Sequence, residues 1–244
     1  MPTQLPVRVL ADPHWRVNLQ PTAYKAELIP TLGECFGIVE QTKVRLRGWD
    51  YPHLSHSSEE RGQGANWVAS WSDFMGHREY WRLYQSGQFL HLFSVREAVD
   101  PGWREKLEAE TRRHLRSCQD IKWDRISGYI DIVNFLYTVT EIFEFAARLC
   151  QRDLYRGEVR IDIRLNGIAG FVLTTDFNRA WYNYYATTED KLGHFWTVPS
   201  NLVIADSADL ALKAVAWFFE RFGWLDPAVG TLKQDQSAFL EGRR

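Results

Sequence analysis

The sequence has little cysteine and no long apolar run, and each absence excludes a class of protein. Its three cysteines, Cys35, Cys118 and Cys150, are an odd number, lie far apart and form no CxxC pair, which argues against a disulfide framework and a thiolate zinc site. No uninterrupted apolar stretch approaches the roughly 18 to 20 residues that cross a bilayer. The first residues also lack the basic start and apolar stretch of a signal peptide. We therefore expect a soluble, cytoplasmic protein with no membrane partner.

A strong charge of one sign and the glycine motifs that bind phosphates are also absent. The chain has 29 Lys and Arg against 31 Asp and Glu, a formal net charge of -2, so the overall charge does not favour nucleic acid. Neither GxxxxGKS/T nor GxGxxG occurs, which disfavours nucleotide hydrolysis by that route. The fractions of apolar residues (45%) and charged residues (25%) are typical of a globular chain.

Aromatic residues, by contrast, are abundant. The 244 residues include 11 Trp, 10 Tyr and 14 Phe, so aromatic packing or stacking must account for much of the core or of a binding surface. A tryptophan-rich core and an exposed stacking surface both agree with this composition. An exposed aromatic surface would also favour self-association, and therefore a homo-oligomer.

Alternation of apolar and polar residues predicts strands at 15–19, 43–49 and 67–74. Two β-rich runs around Ser86-Gly87 predict a hairpin over 78–95 with a two-residue turn. If Gln85 lies opposite Gln88, the core face carries the pairs Leu83 with Leu90 and Trp81 with Leu92. The other face is then aromatic and basic, with the pairs Tyr84 with Phe89, Arg82 with His91, and Tyr80 with Phe93.

Apolar residues at every third or fourth position predict a long central helix over about 131–153. Further helices are predicted at 31–41, after Pro101-Gly102, at 207–222 and at 227–240, and further strands at 159–165 and 171–175. The predicted fold is α+β: a mainly antiparallel sheet with a central hairpin, packed against the long central helix and the C-terminal helices. We expect one unit over 1–244. The alternative is a sheet-rich part, 1–120, and a helix-rich part, 121–244.

The segment 45–56 is the densest patch of polar and aromatic residues. It predicts a binding loop in which arginines hold an anionic group and a tryptophan stacks on the ligand. The candidate ligand-binding residues in this patch are Arg45, Arg47, Trp49, Asp50, Tyr51 and His53. In the alternative, Trp49 and Tyr51 plug the end of the sheet and Asp50 caps a turn. Asp50, His53 and His56 have the side chains of metal ligands, but Pro52 prevents a regular helix there, so we predict no metal and no cofactor.

The predicted hairpin adds two further candidate sites. Tyr80, Arg82, Tyr84 and His91 would form an aromatic and basic face that stacks the bases of a nucleic acid, unless a helix covers it. His77 and Glu79 have the side chains of a general acid and base. The alternative is that both are ordinary solvent-facing residues at the start of a strand.

Charged residues accompany the apolar stripe of the central helix. Glu141, Glu144 and Arg148 lie on or beside this stripe, and a charge pressed against an apolar face must be paired. One interpretation is an internal Glu-Arg bridge that orients the helix, with Glu144 and Arg148 spaced as an i, i+4 pair. The other places Glu141 and Arg148 in an acidic pocket wall that binds a cationic or hydroxyl-bearing ligand.

Four phrases resemble a family of uncharacterised bacterial proteins. They are LRGWDYPH at 46–53, WRLYQSGQF at 81–89, TEIFEFAARL at 140–149 and FFERFGW at 218–224. Members of that family occur alone or with Schlafen/AlbA-type ATP- or DNA-binding regulatory domains. The resemblance implies a bacterial source and a regulatory or defence context, and it carries no catalytic residue over to this chain.

These observations lead to three hypotheses about function. The first is a non-enzymatic recognition or regulatory protein that binds a partner protein or a small ligand between the hairpin and the central helix. In that case Arg47→Ala should abolish binding and leave the melting temperature nearly unchanged. The second is a hydrolase or nuclease that uses His53, His77 or Glu79 as acid or base. The third is binding of single-stranded nucleic acid through Tyr80, Arg82 and Tyr84.

Overall fold

The computed structural model describes residues 5–74, 76–118, 121–176, 179 and 181–242. These residues form nine strands: β1 (His14–Pro21), β2 (Arg61–Gln63), β3 (Trp67–Phe74), β4 (His77–Tyr84), β5 (Phe89–Ser94), β6 (Gly128–Asp131), β7 (Glu158–Asn166), β8 (Phe171–Thr174) and β9 (Lys191–Pro199). They also form seven α-helices: α1 (Leu5–Ala11), α2 (Leu32–Thr42), α3 (Arg96–Val99), α4 (Pro101–His114), α5 (Ile132–Gln151), α6 (Ser200–Arg221) and α7 (Val229–Leu240). Within the described residues, no helix is both long enough and apolar enough to span a membrane.

Seven strands form one antiparallel sheet in the order β2-β3-β4-β5-β1-β7-β9. The remaining two strands, β6 and β8, pair in parallel as a small second sheet. With the long helix α5 and the C-terminal helices α6 and α7, this architecture confirms the predicted α+β fold with a mainly antiparallel sheet.

Helix α5 forms the centre of the core. Asp131 caps it, because its carboxylate accepts hydrogen bonds from the backbone N–H groups of Val133 and Asn134 at 2.8 and 3.1 Å. Most of its side chains are buried. Phe145 lies 4.8 Å from the ring of Phe89 on the sheet, and α6 packs along α5. The helix therefore covers one face of the large sheet, which we call the inner face, and the opposite face is the outer face.

The hairpin of β4 and β5 exists as predicted, but its predicted register is wrong by one residue. The backbone N–H of Tyr84 donates to the carbonyl oxygen of Gln88 at 2.9 Å, so the loop has three residues, Gln85 to Gly87, and Gly87 takes a φ of +82°. Trp81 therefore pairs with His91, and Leu83 pairs with Phe89.

This shift divides the predicted aromatic and basic face between the two sides of the sheet. Phe89, His91 and Phe93 share the inner face with Trp81 and Leu83, whereas Tyr80, Arg82 and Tyr84 lie on the outer face. Leu90 and Leu92, which were expected in the core, lie there with them.

Of two other strand predictions, one is wrong and one is confirmed. Residues 43–49 form a loop with a single bridge between Val44 and Tyr51, because Lys43 is buried and its ammonium pairs with Glu40 and Asp50, each at 3.0 Å. The strand predicted at 171–175 does form as β8, but it pairs with β6 and leaves β7 to pair with β1 and β9.

The tight turn predicts that Gly87→Ala destabilises the protein by about 1 to 2 kcal/mol, because an L-residue is strained at this φ. A Cβ atom there would also lie 2.9 Å from Cδ2 of Leu28. Urea unfolding measures the change, with Gly33→Ala as the control, since Gly33 lies in α2 with open space around it. An equal free energy of unfolding in wild type and Gly87→Ala would contradict the strained turn.

Candidate functional site

A cleft of about 590 Å³ opens between the 47–51 loop, strands β4 and β5, and the first half of α5. We call it the central cleft. Of the residues predicted to bind a ligand, the following line it: Arg47, Trp49, Asp50, Tyr51, His91 and Glu141. The fold therefore brings together residues from three distant parts of the chain.

A buried ion pair fixes the loop to α5. The carboxylate of Glu141 is 1% exposed. It accepts hydrogen bonds from Nε of Arg47, which lies 3.1 Å from both of its oxygens, and from Nη2 of the same guanidinium. The same guanidinium donates to Oδ1 of Asn134 at 2.6 Å and to Oγ1 of Thr138 at 3.2 Å. Because these three partners all lie on α5, Arg47 holds the loop against the helix.

Glu79 is a second buried carboxylate, on the sheet side of the cleft. Its oxygens accept from the indole N–H of Trp49 at 2.6 Å, the imidazole Nε2 of His91 at 2.9 Å and the backbone N–H of His53 at 3.3 Å. Burial alone would raise the pKa of Glu79, but the hydrogen bonds from His91 and Trp49 and the charge of His91 hold it below its usual value. The carboxylate is therefore ionised, and Nε2 of His91 carries the proton that it donates.

Trp49 forms an aromatic platform at the mouth of the cleft. Its ring stacks on His53 at 4.1 Å and on His77 at 4.8 Å between centroids. Burial and the nearby positive charge of Arg96 lower the pKa of His77 to about 4, against the opposing effect of Glu79. His77 is therefore a neutral ring at pH 7.

Glu97 is a further buried carboxylate of the cleft, and a neutral amide donates to it. It is 3% exposed, and Nδ2 of Asn134 donates to its Oε1 at 2.8 Å. Burial raises the pKa of Glu97 to about 7, although the bond from Asn134 lowers it. Asn134 thus links Glu97 to Arg47 through the two ends of one amide.

The lining of the cleft has more acidic than basic side chains. It contains six carboxylates, Asp50, Glu79, Glu97, Asp131, Glu141 and Asp176, and three guanidinium groups, Arg47, Arg78 and Arg96. With neutral histidines the lining side chains carry a charge between about -2 and -3 at pH 7, because three positive charges face five carboxylates and Glu97, whose pKa is about 7. An anionic ligand would meet this negative field.

Several buried polar atoms of the cleft have no hydrogen-bond partner among the described residues. They are the Tyr51 hydroxyl, Nδ1 of His91, Oγ of Ser94 and Nε of Arg96, and they are four of the six such atoms in the part of the chain that the structure describes. A buried polar group without a partner costs about 1 to 3 kcal/mol. In native proteins each such group calls for an explanation, such as a bound water, ion or ligand or a catalytic role, and here four of them belong to residues that line one cleft.

The other predicted site residues lie elsewhere. Arg45 is 64% exposed and its guanidinium is 3.6 Å from Glu40 and 3.8 Å from Asp50. Arg148 donates to the backbone carbonyl of Lys43 at 2.5 Å. The bridge predicted between Glu144 and Arg148 does not form, because the carboxylate of Glu144 accepts from the hydroxyl of Ser207. Glu141 pairs instead with Arg47 of the loop and lines the cleft.

The remaining candidates fall into two groups. Tyr80, Arg82 and Tyr84 lie on the outer face of the sheet. Asp50, His53 and His56 are not gathered at a metal site, and within the described residues no group of three or more His, Cys, Asp or Glu side chains is arranged to hold a metal ion.

Sequence reasoning missed the residues that enter the cleft from the end of β5, from α3 and from the start of α5. Ser94, Arg96, Glu97 and Asn134 follow no recognisable motif, and they approach the 47–51 loop only in the folded chain. One signal was available: Asp131 directly precedes a long apolar stripe, which is the position of a helix cap.

Comparisons of the chain with protein-family models, curated proteins and solved structures found no match. The resemblance of four phrases to bacterial regulatory proteins therefore stays a prediction.

The buried ion pair predicts that Arg47→Ala destabilises the protein by about 3 kcal/mol, because the variant leaves Glu141 buried without its partner. This replaces the expectation, drawn from sequence, of an unchanged melting temperature. The measurement is urea unfolding, with Arg45→Ala as the control, since that exposed side chain should change stability by less than about 0.5 kcal/mol. Equal stabilities for the two variants would refute the role given to Arg47.

The raised pKa of Glu97 predicts that its ionisation weakens the folded state as the pH rises towards about 7 and beyond. A group whose folded pKa is raised contributes its full stability below the unfolded pKa and loses it through the folded pKa. Glu97→Gln should therefore gain about 2 kcal/mol relative to wild type when the pH is changed from about 5 to about 8. Unfolding by urea at the two pH values measures this gain, and parallel pH profiles for both proteins would contradict it.

Proposed function

We propose that this protein is a non-enzymatic recognition protein that binds a small polar ligand in the central cleft. The observation that carries the proposal is that four residues lining one cleft each keep a buried polar atom without a hydrogen-bond partner. A bound molecule that reaches these atoms would give each of them a hydrogen bond. For Tyr51, His91 and Ser94 this replaces no hydrogen bond within the chain, whereas Nε of Arg96 already lies 3.8 Å from the carboxylate of Asp100. The resemblance of the four phrases adds a regulatory setting, in which binding of the ligand controls an associated activity.

The shape of the site favours a small ligand over a partner protein. The unpartnered atoms lie below the surface of a concave site whose volume of about 590 Å³ is within the range of small-molecule pockets. A protein surface could reach them only by inserting a side chain. The aromatic lining would supply apolar contact, and the polar atoms would fix the orientation of the ligand.

The charges favour a ligand that is neutral or cationic. Arg47 already binds Glu141, Asn134 and Thr138, and the lining carries more carboxylates than guanidinium groups. The anion expected from the sequence is therefore a poorer match than a molecule rich in hydroxyl or amine groups. This is the ligand class that the sequence suggested for an acidic pocket wall.

The protonation states assign a role to each unpartnered atom. Nε of Arg96 is a donor, and burial raises the pKa of Tyr51 well above its usual value, so its hydroxyl stays protonated. Nδ1 of His91 accepts when the ring is neutral, because Nε2 carries the proton donated to Glu79, and it donates when the ring is positively charged. The hydroxyl of Ser94 can donate or accept. The ligand should thus offer acceptors to Arg96 and Tyr51 and, when His91 is neutral, a donor to its Nδ1. The aromatic lining of Trp15, Phe93 and Tyr137 would supply apolar contact.

A second candidate function is acid-base catalysis, which the geometry of Glu79 and His91 favours. A buried carboxylate that orients one imidazole nitrogen leaves the other directed to act as a base, as in catalytic pairs. Incubation of an identified ligand with substoichiometric protein distinguishes the two functions. Turnover beyond one equivalent that is lost in His91→Gln would establish the enzyme, and unchanged ligand would exclude it.

Native mass spectrometry of the purified protein tests the proposal, and it reports oligomeric state in the same spectrum. We expect a retained small molecule at about one per chain, with weaker retention in Tyr51→Phe, which removes a hydroxyl that a ligand would bind. Stability without ligand should stay equal or rise by about 1 kcal/mol in this variant, because the hydroxyl has no protein partner.

The matched control is Tyr24→Phe, since the side chain of Tyr24 is exposed. It should alter neither retention nor stability. Two results would contradict a ligand site: a loss of stability in Tyr51→Phe, or a wild-type chain that carries no small molecule and is not stabilised thermally by neutral and cationic metabolites.

A further inference from the structure

The outer face of the large sheet is not covered by α5, α6 or α7, which pack on the inner face and its edge. In the part of the chain that the structure describes, α1 is the helix that contacts this face, where Val9 and Trp71 pack against Leu92. The side chains of β3, β4, β1 and β7 that lie beyond α1 form a continuous surface, because the register aligns them across neighbouring strands.

One half of this surface is aromatic. Trp67 and Tyr84 are opposite each other on β3 and β4, as are Trp71 and Tyr80, whose rings stack at 6.5 Å. The guanidinium of Arg82 lies over the ring of Trp67, 4.1 Å from its centroid. Trp67, Trp71 and Tyr84 are half-buried, so part of each residue stays accessible. Every nucleobase can stack on such a ring.

The other half of the surface is basic. Arg16, Arg160 and Arg164 join Arg82 on the outer face, and Asp162 is the carboxylate among them, so this region carries +3 in a chain of net charge -2. Glu158 and Lys191 lie at opposite ends of β7 and β9, just beyond these residues, and their opposite charges cancel in the sum. The near-neutral composition thus conceals a positive face.

The arrangement of these arginines is costly without an anion. Arg16 and Arg164 are directly opposite each other on adjacent strands, and like charges in that position repel. Asp162 relieves Arg164 by a bond of 2.9 Å, but Arg16 and Arg160 form no ion pair with the described residues. A phosphate between Arg16 and Arg164 would reduce the repulsion and accept hydrogen bonds from the guanidinium of Arg16. Asp162 already accepts from Nε and Nη2 of Arg164.

We propose that the outer face binds single-stranded nucleic acid, a function separate from the ligand site of the cleft. The phosphates lie on Arg16, Arg160 and Arg164, and unpaired bases stack on the rings of β3 and β4. Neighbouring strands are about 4.8 Å apart, so the surface from Tyr80 across to Arg164 spans about 14 Å. A duplex fits less well, because its bases are stacked inside and cannot reach the tryptophan and tyrosine rings.

Fluorescence anisotropy with labelled oligothymidylate and oligouridylate of about twelve nucleotides tests this proposal. Affinity should fall steeply between about 50 and 200 mM salt. In Arg16→Ala/Arg160→Ala, which removes two cations without an ion-pair partner, the slope of log K against log salt should shrink by about 1.4, because each phosphate contact on a single strand contributes about 0.7.

The matched control is Arg45→Ala/Arg112→Ala, which removes two exposed arginines outside the outer face, in the 43–51 region and on α4. It should retain the wild-type affinity and slope. Tyr84→Ala should weaken binding at least about fivefold, and Tyr84→Phe should restore it, because stacking needs the ring and not the hydroxyl.

Four results would overturn the proposal: no salt-dependent binding by the wild type, an equal loss in both double variants, tighter binding of a duplex of the same length, or a dimer that Arg16→Ala/Arg160→Ala dissociates. The last result would show that a second copy of the chain covers this face. None of these outcomes bears on the ligand site, since Arg16, Arg160 and Tyr84 lie on the outer face and do not line the cleft.

Discussion

The ion pair between Arg47 and Glu141 is the interaction on which the arrangement of the cleft depends. Glu141 lies in the buried stripe of α5, and a carboxylate in that position requires a cation. The cation comes from a loop far away in sequence, so the requirement for neutrality fixes the course of the loop. With the loop in place, Trp49 reaches Glu79 and Glu79 orients His91. Two buried carboxylates thus connect helix, loop and sheet.

The large sheet separates two chemical environments. Its inner face carries the core and, at one end, an acidic cleft with polar atoms that no protein group satisfies. Its outer face carries aromatic rings beside arginines. Since strand residues alternate between the two faces, a single segment such as β4 contributes Glu79 to one environment and Arg82 to the other. A near-zero net charge therefore says little about local fields in this protein.

The sequence was sufficient for those features that depend on local periodicity. The apolar spacing from Ile132 to Cys150 predicts α5, and the β-rich runs around Ser86-Gly87 predict a hairpin. The register of the hairpin could not be predicted from the sequence, because both faces of the hairpin are apolar or aromatic and either alignment buries bulky side chains. Only the bond from Tyr84 to Gln88 distinguishes a loop of three residues from one of two. Strand β9 was missed because the outward-facing Phe195, 47% exposed, obscures the alternation.

The candidate site was predictable only as a patch of loop residues. The sequence placed Trp49, Tyr51 and His53 in a binding loop, but it could not show that Arg47 is already bound by α5 or that Glu97 and Asn134 approach from other elements. Whether a buried polar atom lacks a partner depends on every neighbour in space. No pattern in the sequence therefore reveals which buried polar atoms lack a partner.

The junction of β6 and α5 has a mechanical consequence. Strand β6 ends at Asp131 and the helix begins at the next residue, so no loop separates the small parallel sheet from the helix that lines the cleft. Thr174 on β8 is in turn tied to Thr111 on α4 by a hydrogen bond of 2.7 Å between their hydroxyls. Because strand and helix are contiguous, a displacement of the small sheet would also move the first residues of α5. It would thereby move the amide of Asn134, which joins Arg47 to Glu97.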